Sequence, residues 1–131
     1  MKKYSKTNNE WKAQLSSLEY KVTREKRTEI PFSGDLNANY ENGIYHCKCC
    51  GNTLFSSSHK FDSGTGWPSF YDVMSNDNVT LVSDHSYGME RTEVCCSNCG
   101  AHLGHVFNDG PEPTRKRFCI NSVSLKFTKK E

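Results

Sequence analysis

Apolar residues recur at helical spacing only near the start of the chain, where Trp11, Leu15 and Leu18 fall on one face of a 3.6-residue period. Thr7 and Glu10 precede them at the spacing of a capping box. A short amphipathic helix over residues 8–19 follows. After Arg24 the helical pattern stops, and Pro31, Gly34, Asn37, Asn39, Asn42 and Gly43 break the next stretch into loops. Beyond them lie short strand-like runs at 44–47, 53–55, 79–82, 91–95, 105–107 and 117–127, separated by turn formers. The expected fold is mainly β, antiparallel, with no regular helix after the first.

The chain has 131 residues, enough for one domain spanning 1–131 to bury a core of its own. Lysines crowd both ends (Lys2, Lys3, Lys6, Lys126, Lys129, Lys130), so frayed termini are expected at about 1–7 and 128–131. The formal net charge is +2, from 17 basic and 15 acidic side chains, without the strongly basic face that nucleic-acid binding requires. No run approaches the roughly 18 apolar residues of a membrane helix, and no apolar signal core follows Lys2 and Lys3. A cytoplasmic setting, with neither membrane nor nucleic acid as partner, is expected.

Seven cysteines change this picture. An odd number clustered in CxxC units argues for metal or redox chemistry rather than a secreted disulfide framework. Cys47 with Cys50 and Cys96 with Cys99 are the two pairs that keep CxxC spacing, each followed by a glycine, Gly51 and Gly100. Four thiolates satisfy a tetrahedral zinc ion and leave no open position for water, so one structural zinc is expected. With no internal repeat or linker to separate them, the two units are expected to meet in space.

Cys49, Cys95 and Cys119 remain. If 117–121 is a strand, Arg117, Cys119 and Asn121 share one face, and the guanidinium favours the thiolate of Cys119. His102 and His105 follow the second CxxC directly; histidine is the usual acid or base near neutral pH, yet such a pair is as readily structural. Regular strand geometry sends them to opposite faces, unless Gly104 permits a bend. In residues 61–70 a constrained loop presents Trp67 and Phe70, two rings suited to an apolar pocket or to the core.

Taken in order, FDSGTGWPSF, EVCCSNCGAHLGHVFNDGPEPT and RFCINS resemble the methionine-R-sulfoxide reductases, the MsrB family, in its zinc-containing branch. The resemblance covers about residues 9–127 and implies two antiparallel β-sheets. It also implies reduction of the R epimer of methionine sulfoxide, free or within proteins, with a thiol reductant of the thioredoxin type and a monomeric enzyme. Carried over, Cys119 is the nucleophile and becomes a sulfenic acid, while His102, His105, Arg117 and Asn121 surround the substrate. Trp67 receives the substrate methyl group, and Phe70 belongs to the same substrate-binding loop.

Many members of that family carry a resolving cysteine where this chain has Thr65. The sulfenic acid then awaits Cys49 or Cys95, or an external thiol. Arg115 and Phe118 are smaller departures that touch no catalytic role. A zinc-ribbon binding module would leave Cys119, the histidines and the Trp67 loop without purpose, and a zinc deaminase would need an HxE motif ahead of its CxxC pair.

Overall fold

Two capping boxes, not one, open the chain in the computed structural model, which describes residues 6–130. Thr7 accepts from the Glu10 amide at 3.2 Å and starts α1 (Asn8–Gln14); Ser16 accepts from the Glu19 amide at 3.1 Å and starts α2 (Ser17–Glu25). The single helix expected over 8–19 is divided because Leu15 goes extended and hands the chain to the second cap. Leu18, counted in the apolar stripe, is 48% exposed, and α2 buries Tyr20, Val22 and Thr23 instead. Helix ends where Lys26 turns left-handed, at φ 59°.

Among the described residues nine strands follow: β1 (Gly43–Cys47), β2 (Thr53–Ser56), β3 (Lys60–Phe61), β4 (Ser69–Phe70), β5 (Val79–Asp84), β6 (Arg91–Cys96), β7 (His102–Phe107), β8 (Arg117–Ile120) and β9 (Leu125–Lys129). All pairings are antiparallel and make two sheets, ordered β2-β1-β9 and β3-β4-β8-β7-β6-β5. The run expected as one strand over 117–127 is two strands, interrupted by a 3₁₀ turn at Ser122–Ser124 that carries the chain from the larger sheet to the smaller. The apolar positions change parity across the break, from Phe118 and Ile120 to Val123, Leu125 and Phe127, a shift that a single continuous strand does not explain.

Expectation also fails at the C-terminal end. Thr128 and Lys129 pair with Ile44 and Gly43, and the Lys130 amide donates to the Asn42 carbonyl at 2.8 Å. The lysine side chains face water while the backbone beneath them is held in a ladder. Lys2 and Lys3, in the other end expected to fray, lie outside the described residues, and Thr7 is fixed as a cap.

Aromatic rings join the sheets. Phe55 of the small sheet stacks on Phe70 of the large one at 4.4 Å, Tyr45 meets Phe70 edge-on at 5.0 Å, and Phe118 closes on Phe55 at 5.9 Å. Offset and edge-on pairs of this kind add about 0.5–1.5 kcal/mol each beyond area burial. Trp11, only 2% exposed, lies beneath the Arg24 guanidinium at 4.5 Å and ties the helices to this core.

Gly104 controls how closely β7 and β8 approach. A Cβ there would lie 2.0 Å from the Cys119 carbonyl oxygen and 2.9 Å from Ile120 Cα, both backbone atoms that cannot swing aside. Gly104→Ala is therefore expected to destabilise the fold by about 1–3 kcal/mol, seen as a lower urea midpoint at unchanged m-value.

Candidate functional site

Each CxxC unit is a tight turn closing a hairpin, and the two turns are built alike. Gly51 N donates to Cys47 O at 2.9 Å and Gly100 N to Cys96 O at 2.8 Å, with φ of 81° and 78° at the two glycines. One turn joins β1 to β2 and the other β6 to β7. Their four sulfurs, from Cys47, Cys50, Cys96 and Cys99, lie within 4.8 Å of one another. Cys47 Sγ to Cys99 Sγ and Cys50 Sγ to Cys96 Sγ are 3.6 Å, near the edge of about 3.8 Å that four sulfurs at 2.3 Å from a tetrahedral ion would have. The cluster can hold a metal ion. Arg24 donates twice to the Cys99 carbonyl, at 3.2 Å, and Asn52 Nδ2 lies 3.6 Å from Cys96 Sγ, donors that suit thiolate charge.

Across the six-stranded sheet the register lines up one transverse row: Phe61, Ser69, Cys119, His105, Glu93 and Val82, each directly opposite the next. Cys119 and His105 are thus neighbours by strand pairing, with Cβ atoms about 4.5–5.5 Å apart. A cavity of about 320 Å³ opens over this row, lined by Thr65, Trp67, His105, Phe107, Arg117 and Cys119, with Asn121 at its end.

A bulge brings in the second histidine. Pairing of β6 with β7 slips between Val94 and Cys95, so that Cys95 faces His102 while Val94 faces Gly104. The extra residue reverses side-chain parity. His102 and His105, three positions apart, consequently lie on one face with ring centroids 5.4 Å apart. His102 does not reach the cavity wall: it is 3% exposed, its Nδ1 is 2.7 Å from Glu93 Oε2, and its Nε2 has no hydrogen-bond partner.

Two carboxylates that sequence reasoning missed hold the histidines. Burial pushes the Glu93 carboxyl up, yet hydrogen bonds from His102, Cys95 and Lys26 bring it down to about 2, so it is ionised. Asp84 Oδ2 lies 2.7 Å from His105 Nε2 and is held well below the usual carboxylate range by that bond. His105 itself is lowered by burial, against the pull of Asp84. The alternation Arg91, Glu93, Cys95 on one strand face was the available signal for Glu93.

Arg117 corrects the expected electrostatics. Its guanidinium forms a paired contact with Asp109 at 2.9 and 3.1 Å and stacks on Phe107 at 4.4 Å. Burial raises the Cys119 thiol, and Thr65 and Arg117 oppose that without reversing it. Asn121 closes the strand end: Oδ1 accepts from the Glu29 amide at 3.0 Å and Nδ2 donates to the Leu103 carbonyl at 3.1 Å. Trp67 forms part of the cavity wall, its indole N–H on the Glu29 carbonyl at 3.1 Å. Phe70, expected in a substrate-binding role, is fully buried in the aromatic core, because its strand position points away from the Cys119 face.

Neither spare cysteine touches Cys119. Cys95 lies on β6, with β7 between it and β8, a separation of two ladder spacings or about 10 Å. Cys49 is buried beside the metal cluster, its carbonyl bound by Gln14.

The SelR domain model matches residues 15–129 of the chain. The peptide methionine sulfoxide reductase MsrB of Methanosarcina mazei is 62% identical over 129 residues, covering 98% of this chain and 92% of its own length. The corresponding protein of Herminiimonas arsenicoxydans is 57% identical over 125 residues, covering 95% and 91%. Mouse methionine-R-sulfoxide reductase B3, mitochondrial, is 53% identical over 122 residues, 93% of this chain and 48% of that protein.

The reassignment of Phe70 has a direct check. Phe70→Ala is expected to cost about 3–5 kcal/mol of stability, and Trp67→Ala, at the cavity wall, distinctly less in the same urea titration.

Proposed function

We infer the roles of the cavity residues from one premise: the chain belongs to the SelR-domain family, the methionine-R-sulfoxide reductases. It is an oxidoreductase acting on sulfur, returning the R epimer of methionine sulfoxide to methionine, the repair step on the methionine oxidation ladder.

Cys119 is the nucleophile, and the observation that carries this is its place in the row, opposite His105 and open to the cavity beside Trp67. Its thiolate attacks the sulfoxide sulfur. The oxygen takes up a proton, the S–O bond breaks as oxygen passes to Cys119, and the transient bond between the two sulfurs is cleaved, leaving a sulfenic acid on Cys119 and releasing methionine. Covalent catalysis of this kind divides one difficult step into two. Trp67 receives the substrate methyl group on its indole face. Arg117, fixed by Asp109, presents positive charge to the oxygen as it accumulates electrons, and His105, oriented by Asp84, moves the proton that oxygen takes up. His102 and Asn121 act from behind, holding the strand ends and the Glu93 carboxylate in place.

The metal is one zinc ion. Four thiolates at tetrahedral spacing suit it and leave no open position, so its part is structural. With Thr65 beside Cys119 and both spare cysteines out of reach, the sulfenic acid is reduced by an external dithiol such as thioredoxin, giving water and the dithiol's disulfide. Seven cysteines without a disulfide among them fit a reducing compartment such as the cytoplasm, the balanced charge fits a peptide or amino-acid substrate rather than nucleic acid, and the enzyme acts as a monomer.

Cys119→Ser is expected to abolish sulfoxide reduction; retained turnover would end the mechanism. Replacing Cys49 and Cys95 together with alanine should leave most thioredoxin-dependent turnover, and mass spectrometry after one turnover should find no disulfide to Cys119. Chelation of the metal is expected to collapse the near-ultraviolet circular dichroism and the activity together; a folded, active apoprotein would refute the structural role.

A further inference from the structure

The hydroxyls of Ser69, Ser63 and Thr65 form an unbroken chain that ends on the Cys119 sulfur. Ser69 Oγ donates to the Trp67 carbonyl at 3.1 Å, Ser63 Oγ lies 2.7 Å from Ser69 Oγ and 2.8 Å from Thr65 Oγ1, and Thr65 Oγ1 is 3.8 Å from Cys119 Sγ. Sheet pairing sets the far end: Ser69, 1% exposed, sits directly opposite Cys119. At the near end the Gly64 amide donates to Asp62 Oδ1 at 2.9 Å, shaping the loop that brings Thr65 over the sulfur.

Each hydroxyl has a single proton and two acceptor sites, so the direction of the chain is determined from its anchored end. With the Ser69 proton on the Trp67 carbonyl, Ser63 must donate to Ser69 and Thr65 to Ser63. Thr65 then offers Cys119 a lone pair, which the thiol S–H satisfies. A thiolate has no proton to give and needs a donor. Rotation of the three hydroxyl protons, with no heavy atom moving, supplies one: Ser69 turns to Ser63, Ser63 to Thr65, and Thr65 to the sulfur.

Resting on the assignment of Cys119 as nucleophile, we propose that Thr65 is a catalytic residue whose hydroxyl, polarised by Ser63 and Ser69, switches from accepting the Cys119 thiol proton to hydrogen-bonding the Cys119 thiolate. The chain serves both protonation states of a sulfur that faces the cavity but is half-buried beneath the loop. The Thr65 hydrogen bond favours ionisation of Cys119, as do the charge and hydrogen bond of Arg117, whose guanidinium is also paired with Asp109. A charge-assisted bond from a neutral hydroxyl to a desolvated anion is among the stronger ones a protein makes.

The test is the pH dependence of iodoacetamide alkylation at Cys119, followed on the Cys119 peptide by mass spectrometry, together with single-turnover sulfoxide reduction at pH 7. Thr65→Val keeps the shape and removes the hydroxyl. It should move the alkylation midpoint up by about one pH unit and slow the single turnover about tenfold, while Thr65→Ser restores both. Ser63→Ala should shift the midpoint the same way by less. An unchanged midpoint in Thr65→Val overturns the proposal; if that variant fails to fold, an unchanged midpoint in Ser63→Ala does so. Failure of the nucleophile assignment is separate, since it would appear as activity in Cys119→Ser whatever Thr65 does.

Discussion

Cys47 approaches Cys99, and Cys50 approaches Cys96, to 3.6 Å, bringing the turn of the β1–β2 hairpin onto the turn of the β6–β7 hairpin. Four sulfurs that close would repel as thiolates, and a metal ion is what such a group can hold. The same convergence joins the small sheet to the large one and sets the distance across which Phe55 and Phe70 can stack. It reaches the helices through Arg24, which grips the Cys99 carbonyl while lying over Trp11. It reaches the cavity through β7, whose first residue is His102, three positions beyond Cys99. The four-cysteine cluster lies behind the cavity row rather than in it.

On that face, burial and charge pull against each other, and the outcome differs from group to group. Glu93 is 2% exposed yet ionised, because three donors converge on it. For His105 burial pulls the imidazole down in spite of Asp84. For Cys119 burial also prevails, since the nearest guanidinium is already committed to Asp109 and its field is partly cancelled. The resting thiol is therefore protected, and its ionisation depends on local donors of short reach. This suits a nucleophile that should react with a bound sulfoxide and ignore other electrophiles.

Much of this was legible in the chain itself. The two CxxC units with their trailing glycines announce a four-thiol cluster, because ligand chemistry constrains residue type and spacing together. Alternation around Cys119 places Arg117 on its face, because strand parity is a strict period of two. What stayed hidden depends on events without a periodic signature. The bulge at Cys95, which puts His102 and His105 on one face, needs knowledge of the partner strand. Phe70 and Trp67 share a loop, and only the pairing of β4 with β8 decides which ring meets the core. The break between the helices was visible, since Ser16 and Glu19 repeat the box of Thr7 and Glu10, but Leu18 continued the apolar stripe and masked it. Thr65, conspicuous as the substitute for a resolving cysteine, acquires a positive role only once its neighbours Ser63 and Ser69 are seen in line with Cys119.

The turn at Ser122–Ser124 has an evolutionary consequence. It is the bridge between a strand registered against His105 and a strand registered against Cys47, with Cys119 on one side and Leu125 on the other. The two CxxC turns are fixed in length by their ligands, and this turn is fixed by the two registers it joins. Here a single inserted or deleted residue would invert every side chain of one strand relative to the other, turning either the nucleophile or the small sheet inside out. The five steps from Ile120 to Leu125 thus admit replacement of side chains but no change in length.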